Sequence, residues 1–403
     1  MEVLDLARLQ FAMTGSVHFL FVVLTLGMAP MVAVMQTKHL VTGKPVYEGM
    51  TRFWGQIYVI NYALGIMTGL VMEFQFGMNW SGLSHFAGDV FGGPLAIETL
   101  VAFFLESTFL GLWIFGWHKL PPRLHLACIW MVAFTAYLSA FWIMVANSYL
   151  QNPVGSELRD GRLVLTDFPA LLTNPTFVAA LPHVIGAGVL TGGCVVAGAS
   201  AYRLFRRPAD EELFKRSLRT GLTWAGVGAL LSIGSGYAQI PLVMGVQPGK
   251  FDGEGNLAAT VGFGFMILLA EMLALLILVM VIVVARVHRL RWTHPLIMLM
   301  APVPFLIAIL GWLAREIGRQ PWAVYGKLTT ADAITPGLSS GTIIASLVAF
   351  PGLLLLLAAV DYLLILKAIR REPGEVGLGR PPDTGDEVAA GPLPPHRAHA
   401  GNL

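Results

Sequence analysis

The stretch ATVGFGFMILLAEMLALLILVMVIVVA, residues 259–285, decides the fold: it holds one charged residue, Glu271, in a run long enough to cross a bilayer as a helix. Working outward, comparable runs occupy roughly 14–36, 52–74, 95–117, 126–149, 177–202, 218–243, 295–314 and 341–366. The chain of 403 residues is 56% hydrophobic and 12% charged, too apolar for a soluble domain to hide from water. Its mean hydropathy of +0.69 agrees. The expected fold class is therefore all-α, a polytopic membrane helix bundle of about nine transmembrane helices. The first run is too long for a signal-peptide core and lacks a small-residue cleavage site after it, so it reads as a permanent span.

Charge placement gives the orientation. The connections after spans one, three, five and seven hold most of the Lys and Arg, including Lys38, Lys44, Lys119, Arg123, Arg206, Arg207, Arg286 and Arg289, and Lys367, Arg370 and Arg371 follow span nine. The intervening connections are poorer in positive charge. The positive-inside rule then puts the N-terminus outside and the C-terminus in the cytoplasm. Residues 1–371 read as the membrane domain, and 372–403, rich in Pro, Gly and Ala without apolar periodicity, as a disordered tail.

Several functions are excluded or disfavoured. A net charge of +2 is too small to suggest nucleic acid, and Cys128 and Cys194 lie far apart within apolar runs, which suggests neither a disulfide framework nor a thiolate metal site. No CxxCH sequence offers covalent haem attachment. No internal repeat of the transporter kind is evident.

Ionisable groups inside a bilayer are costly and mark functional sites by default. With the orientation above, His18, Glu98 and His183 lie near the outer ends of spans one, three and five, and Glu106 follows two turns below Glu98. Met266 and Glu271 lie in the outer half of span seven, and span eight delivers Glu316 and Arg319 at its outer end. Taken singly, each has a plain reading: a hydrogen-bonded packing histidine, a packing methionine, an i,i+3 ion pair at the interface. Packing residues from five spans have no reason to share one depth. Imidazole and thioether are axial ligands of haem iron, and His with Glu also suits a non-haem metal, so spacing alone leaves a buried redox or metal site. Regular helix would set Glu98 and Glu106 roughly 80° apart around the axis and about 12 Å along it. They suit steps in a proton path, or could flank a large cofactor.

Five blocks carry a family resemblance: RLQFAMTGSVHFLFVVLTLG (8–27), MEFQFGMNW (72–80), PLAIETLVAFFLESTFLGLW (94–113), SAFWIMVANSYLQNPVG (139–155) and GWLAREIGRQPW (311–322). Together they resemble subunit I, the large haem-bearing subunit, of cytochrome bd-type quinol oxidases. The resemblance implies two haems b and one haem d. A low-spin haem b would take electrons from quinol, and a high-spin haem b beside haem d would reduce oxygen. It implies that His18 and Glu316 ligate the haem pair, in an assignment that varies within the family. Glu98 would serve there as ligand or proton donor, Glu106, Ser139 and Asn147 would lie on a proton path, Trp312 would stand beside the pair and Arg319 would neutralise propionates. His183 in LPHVIGAGVLTGG and Met266 would ligate the low-spin haem, with Met272 as the alternate.

Two departures from the family stand out. An Arg that precedes the ligand Met by two positions is replaced by Gly264, and the loop carrying the quinol site is cut to about QIPLVMGVQPGKFDGEGN (239–256). In that remnant Lys250 and Glu254 match the quinol-site pair. The implied partners are a multi-span subunit II, in some members a small single-span subunit, quinol, oxygen and the lipid bilayer of a bacterial plasma membrane. Rival readings are a haem oxidase with another electron donor and a haem-free transporter.

Overall fold

A computed structural model describes residues 2–251 and 257–380. Among the described residues nine helices are long and apolar enough to cross a membrane: α1 Val3–Thr42, α2 Pro45–Met78, α3 Ser81–Phe115, α4 Pro122–Gln151, α5 Pro175–Phe205, α6 Glu211–Val246, α7 Leu257–Ile282, α8 Thr293–Ile317 and α9 Ser340–Arg370. Each coincides with one of the apolar runs, α3 and α7 ending two and three residues before theirs. Several run well past them because the sequence marks the lipid-facing length, whereas the helix continues until a cap or a proline stops it. Gly43, at φ 66°, ends α1 in the left-handed conformation, and Pro45 begins α2 two residues later. α8 is jointed, passing from Thr293–Met300 to Val303–Ile317 through Ala301 and Pro302.

Helices approach closely where glycine replaces a side chain. A Cβ on Gly27 of α1 would stand 2.1 Å from the Gly188 carbonyl of α5, and one on Gly193 of α5 would stand 2.3 Å from the Ala225 nitrogen of α6. With lipid as solvent, such backbone contact supplies the packing that water would otherwise drive. α5 is thus the buried axis of the bundle.

Two apolar cores result. The larger occupies the half where α1 ends, around Trp54, Trp113, Cys194, Phe214 and Met300. The smaller, around Leu6, Trp80, Tyr149, Leu163 and Val324, caps the half where α1 begins. There a hairpin, β1 Ser156–Arg159 paired antiparallel with β2 Arg162–Leu165, turns through Asp160 and Gly161 at φ 50° and 78°, the Asp-Gly signature of a tight turn. A second small pair, β3 Trp322–Val324 with β4 Leu328–Thr329, follows α8.

Residues 372–380, which the composition assigned to a tail, lie against the opposite end. Glu372 pairs with Arg203, the Gln56 side chain accepts from the Gly377 amide at 2.9 Å, and Leu378 is buried. Val376 and Leu378 supply apolar contacts that bulk composition conceals.

Candidate functional site

A cavity of about 760 Å³ lies in the half of the bundle where α1 begins. His18, Glu98, Glu106, Ser139, Asn147, His183, Lys250, Met266, Trp312, Glu316 and Arg319 all line it, so the structure brings together every described residue of the expected site. Glu254 lies outside the described residues. Met272 does not line the cavity; it is 61% exposed on the outer face of α7. It is therefore no alternate to Met266, because six residues of α-helix turn it far from Met266's face.

Both imidazoles are oriented. His183 Nδ1 donates to the Ser232 carbonyl at 2.8 Å, which leaves Nε2 with its lone pair. His18 Nδ1 meets Thr68 Oγ1 at 2.8 Å, and that hydroxyl gives its own proton to the Gly65 carbonyl at 2.6 Å. His18 therefore donates through Nδ1, and Nε2 is again the coordinating nitrogen. Such an outer hydrogen bond fixes tautomer and ring direction in metal-ligating histidines. The Met266 sulfur sits at 2.8 Å from where a Gly311 Cβ would be, so this glycine of α8 makes its seat.

The carboxylates are also placed by their neighbours. Ser139 donates to Glu98 at 2.6 Å, and Tyr58 reaches Glu106 at 3.5 Å. The helical wheel put Glu98 and Glu106 on different faces, but α3 has a π turn over Glu98–Phe103. One π turn absorbs an extra residue, about 100° of rotation, and both carboxylates reach the same cavity. Glu73, hidden in the MEFQFGMNW block, joins them: Thr99 donates to Glu73 at 2.5 Å and to Glu98 at 3.3 Å.

The polar end is rich in cations. Glu316 pairs with Arg319 at 2.6 Å and accepts from Asn147 at 3.0 Å. Asn147 thus stands beside Glu316, and its oxygen accepts from Arg315 at 2.6 Å. The apolar run 295–314 stops just before Arg315, but α8 continues to Ile317 and Arg315 lines the cavity. It lies within electrostatic reach of His183. Lys250 Nζ points inward to Gln151, Gln247 and the Arg315 carbonyl at 2.8, 2.9 and 2.9 Å, and burial, then Arg315, pushes its pKa well below the usual lysine value. Arg8 also reaches the cavity. Among the described residues no carboxylate forms an ion pair with Arg8, Arg315 or Lys250.

These features test the candidate cofactors. Among the described residues no three His, Cys, Asp or Glu side chains gather as a bare-metal site. Haem fits instead: the cavity is large and mainly apolar, two imidazoles and a thioether line it, and buried Arg319 Nε and Nη1 have no partner among the described residues, as donors awaiting propionates would. Trp312 packs its indole on Gly15, with Nε1 also unpartnered among the described residues.

A membrane bundle that directs these ligands and surplus cations into one interior cavity has the architecture of a haem-bearing membrane oxidoreductase. A family model described as cytochrome bd terminal oxidase subunit I matches residues 6–258 and 256–373. The cytochrome bd ubiquinol oxidase subunit 1 of Bacillus subtilis (strain 168) is 36% identical over 445 aligned positions, covering 92% of this chain and 94% of that protein. The cytochrome bd-II ubiquinol oxidase subunit 1 of Escherichia coli (strain K12) is 45% identical over 251 residues, 62% of this chain and 49% of that one. Among solved structures, bd oxidase from Geobacillus thermodenitrificans superimposes with a TM-score of 0.84 at 22% identity, covering 92% of this chain and 99% of its own. The chain belongs to the cytochrome bd terminal oxidase subunit I family.

Proposed function

We propose that this chain is the haem-bearing subunit of a terminal oxidase that takes electrons from quinol and reduces oxygen to water. The observation that carries this reading is the convergence of His18, His183, Met266, Glu98 and Glu316 on one cavity. His183 and Met266 would hold a low-spin haem b. His18 and Glu316 would hold the high-spin haem b and haem d, with Glu98 beside them. When bound, these haems supply electron transfer and the oxygen-reducing centre.

The chain's own residues do the rest. Ser232 and Thr68 hold the imidazoles through Nδ1, which keeps Nε2 as the ligating nitrogen. Arg319, Arg315 and Arg8 offer positive charge to propionates, and Arg315 supplies near His183 the cation that the family places at the position of Gly264. Trp312 and the apolar lining exclude water. Glu106 and Glu98, supported by Tyr58 and Ser139, pass protons towards the oxygen site from the more positively charged side of the membrane domain, taken as cytoplasmic. Protons from quinol leave on the other side, so charge separates without pumping. The second subunit of the family is the expected partner, and a small single-span subunit a further one.

The shortened loop favours a second reading in which another donor replaces quinol, because Lys250 is committed to three internal acceptors. Oxygen-uptake assays with quinol and with reduced cytochrome c separate the two. Uptake with quinol supports the first reading; uptake with cytochrome c alone overturns it.

A further inference from the structure

On the face between α6 and α7 the cavity reaches the membrane-facing surface. The two helices touch at Gly226, where a Cβ would lie 3.3 Å from Val281. Further along, a Cβ on Gly234 or Gly264 would meet nothing within 4 Å among the described residues. Tyr237 of α6 and Glu271 of α7 both line the cavity and are both exposed on its outer side, and the tyrosine hydroxyl donates to the Glu271 carboxylate. A carboxylate on a lipid-facing surface is costly and packing does not require it.

The pair flanks the residues assigned to the low-spin haem. Gly236, next to Tyr237, would place a Cβ 3.1 Å from His183 Nδ1. Glu271 follows Met266 by five residues, about 7.5 Å of helix rise. A quinol keeps its apolar tail in the bilayer and presents hydroxyls that need a hydrogen-bond acceptor close to the electron acceptor. Lys250, the remnant of the loop site, is turned inward with its donors engaged. Resting on the haem-oxidase reading above, we propose that Glu271 and Tyr237 form the quinol-headgroup site, entered sideways from the lipid. The Glu271 carboxylate accepts from one quinol hydroxyl, and the Tyr237 hydroxyl orients the ring.

The test uses the full complex purified with its companion subunit, as wild type, Glu271→Gln, Glu271→Asp and Tyr237→Phe, assayed with ubiquinol-1 and with menadiol. Loss of one hydrogen bond to a charged group raises the KM for quinol about tenfold in Glu271→Gln, with recovery in Glu271→Asp and a smaller rise in Tyr237→Phe. The reduced-minus-oxidised spectrum stays as in wild type. An unchanged KM with an intact spectrum overturns the site. So does loss of the low-spin haem or of the companion subunit in Glu271→Gln, since the pair would then support the fold or an interface. Wild-type protein without haem overturns the oxidase reading itself, a result distinct from all of these.

Discussion

His183 gives its Nδ1 proton to the Ser232 carbonyl at 2.8 Å, so the nitrogen left for a ligand bond is Nε2. The relationship joins α5 to α6 and assigns the imidazole one tautomer. His183→Ala should remove the low-spin haem b contribution from the spectrum, leaving the haem pair. His18→Ala and Glu316→Ala should do the reverse, and haem extraction with optical spectroscopy of each variant checks both.

Arg315 is a half-buried cation near His183 whose guanidinium is held by Asn147. A positive charge favours the reduced haem, so Arg315→Leu should lower the midpoint potential of the low-spin haem by on the order of tens of millivolts. Redox titration reads this directly. The haem pair, farther from the change, should shift less.

How much of this was legible depended on periodicity and depth. Hydropathy located the nine spans found among the described residues, because lipid imposes a long apolar signature on every crossing. Shared depth singled out His18, Glu98, His183 and Glu316 before any contact was known. Rotation about the helix axis was less accessible. The π turn that brings Glu98 and Glu106 onto one cavity has no signature in spacing, and Arg315 looked like a loop charge because a run of apolar residues ends before the helix does. Glu73 was in plain view within a recognised block, but only its approach to Thr99 and Glu98 gives it a place in the site.

Glu106 and Glu98 are assigned to proton delivery. Glu106→Gln keeps shape and much of the hydrogen bonding but cannot carry the proton, so oxygen uptake should fall about a hundredfold or more with haem content unchanged. Steady-state respirometry paired with haem quantification is the check. Tyr58→Phe, which removes the 3.5 Å contact to Glu106, should have a smaller effect.

Lys250 links the loop after α6 to α4 and α8. Its folded pKa is held below the ordinary value, near 10.4 in an unfolded chain. In the window between the two, the unfolded chain binds more protons, so stability from this group rises as pH rises. The thermal midpoint of wild type should therefore gain on that of Lys250→Met between pH 7 and pH 9. A wild-type midpoint that loses ground to that of the variant over this range would contradict the burial of the Lys250 amine.

The α1–α5 contact leaves no room for a side chain at Gly27. Gly27→Val should force the helices apart and cost about 3 kcal/mol or more, seen as loss of monodisperse protein in detergent chromatography. Gly77→Ala, in open surroundings, should behave as wild type.

The central claim is that one cavity holds haems used for oxygen reduction. A reduced-minus-oxidised optical spectrum of the purified membrane protein tests it most directly. The account predicts bands of haem d beside those of haem b. Haem b alone would contradict the proposed composition of the oxygen site, and no haem at all would contradict the account as a whole.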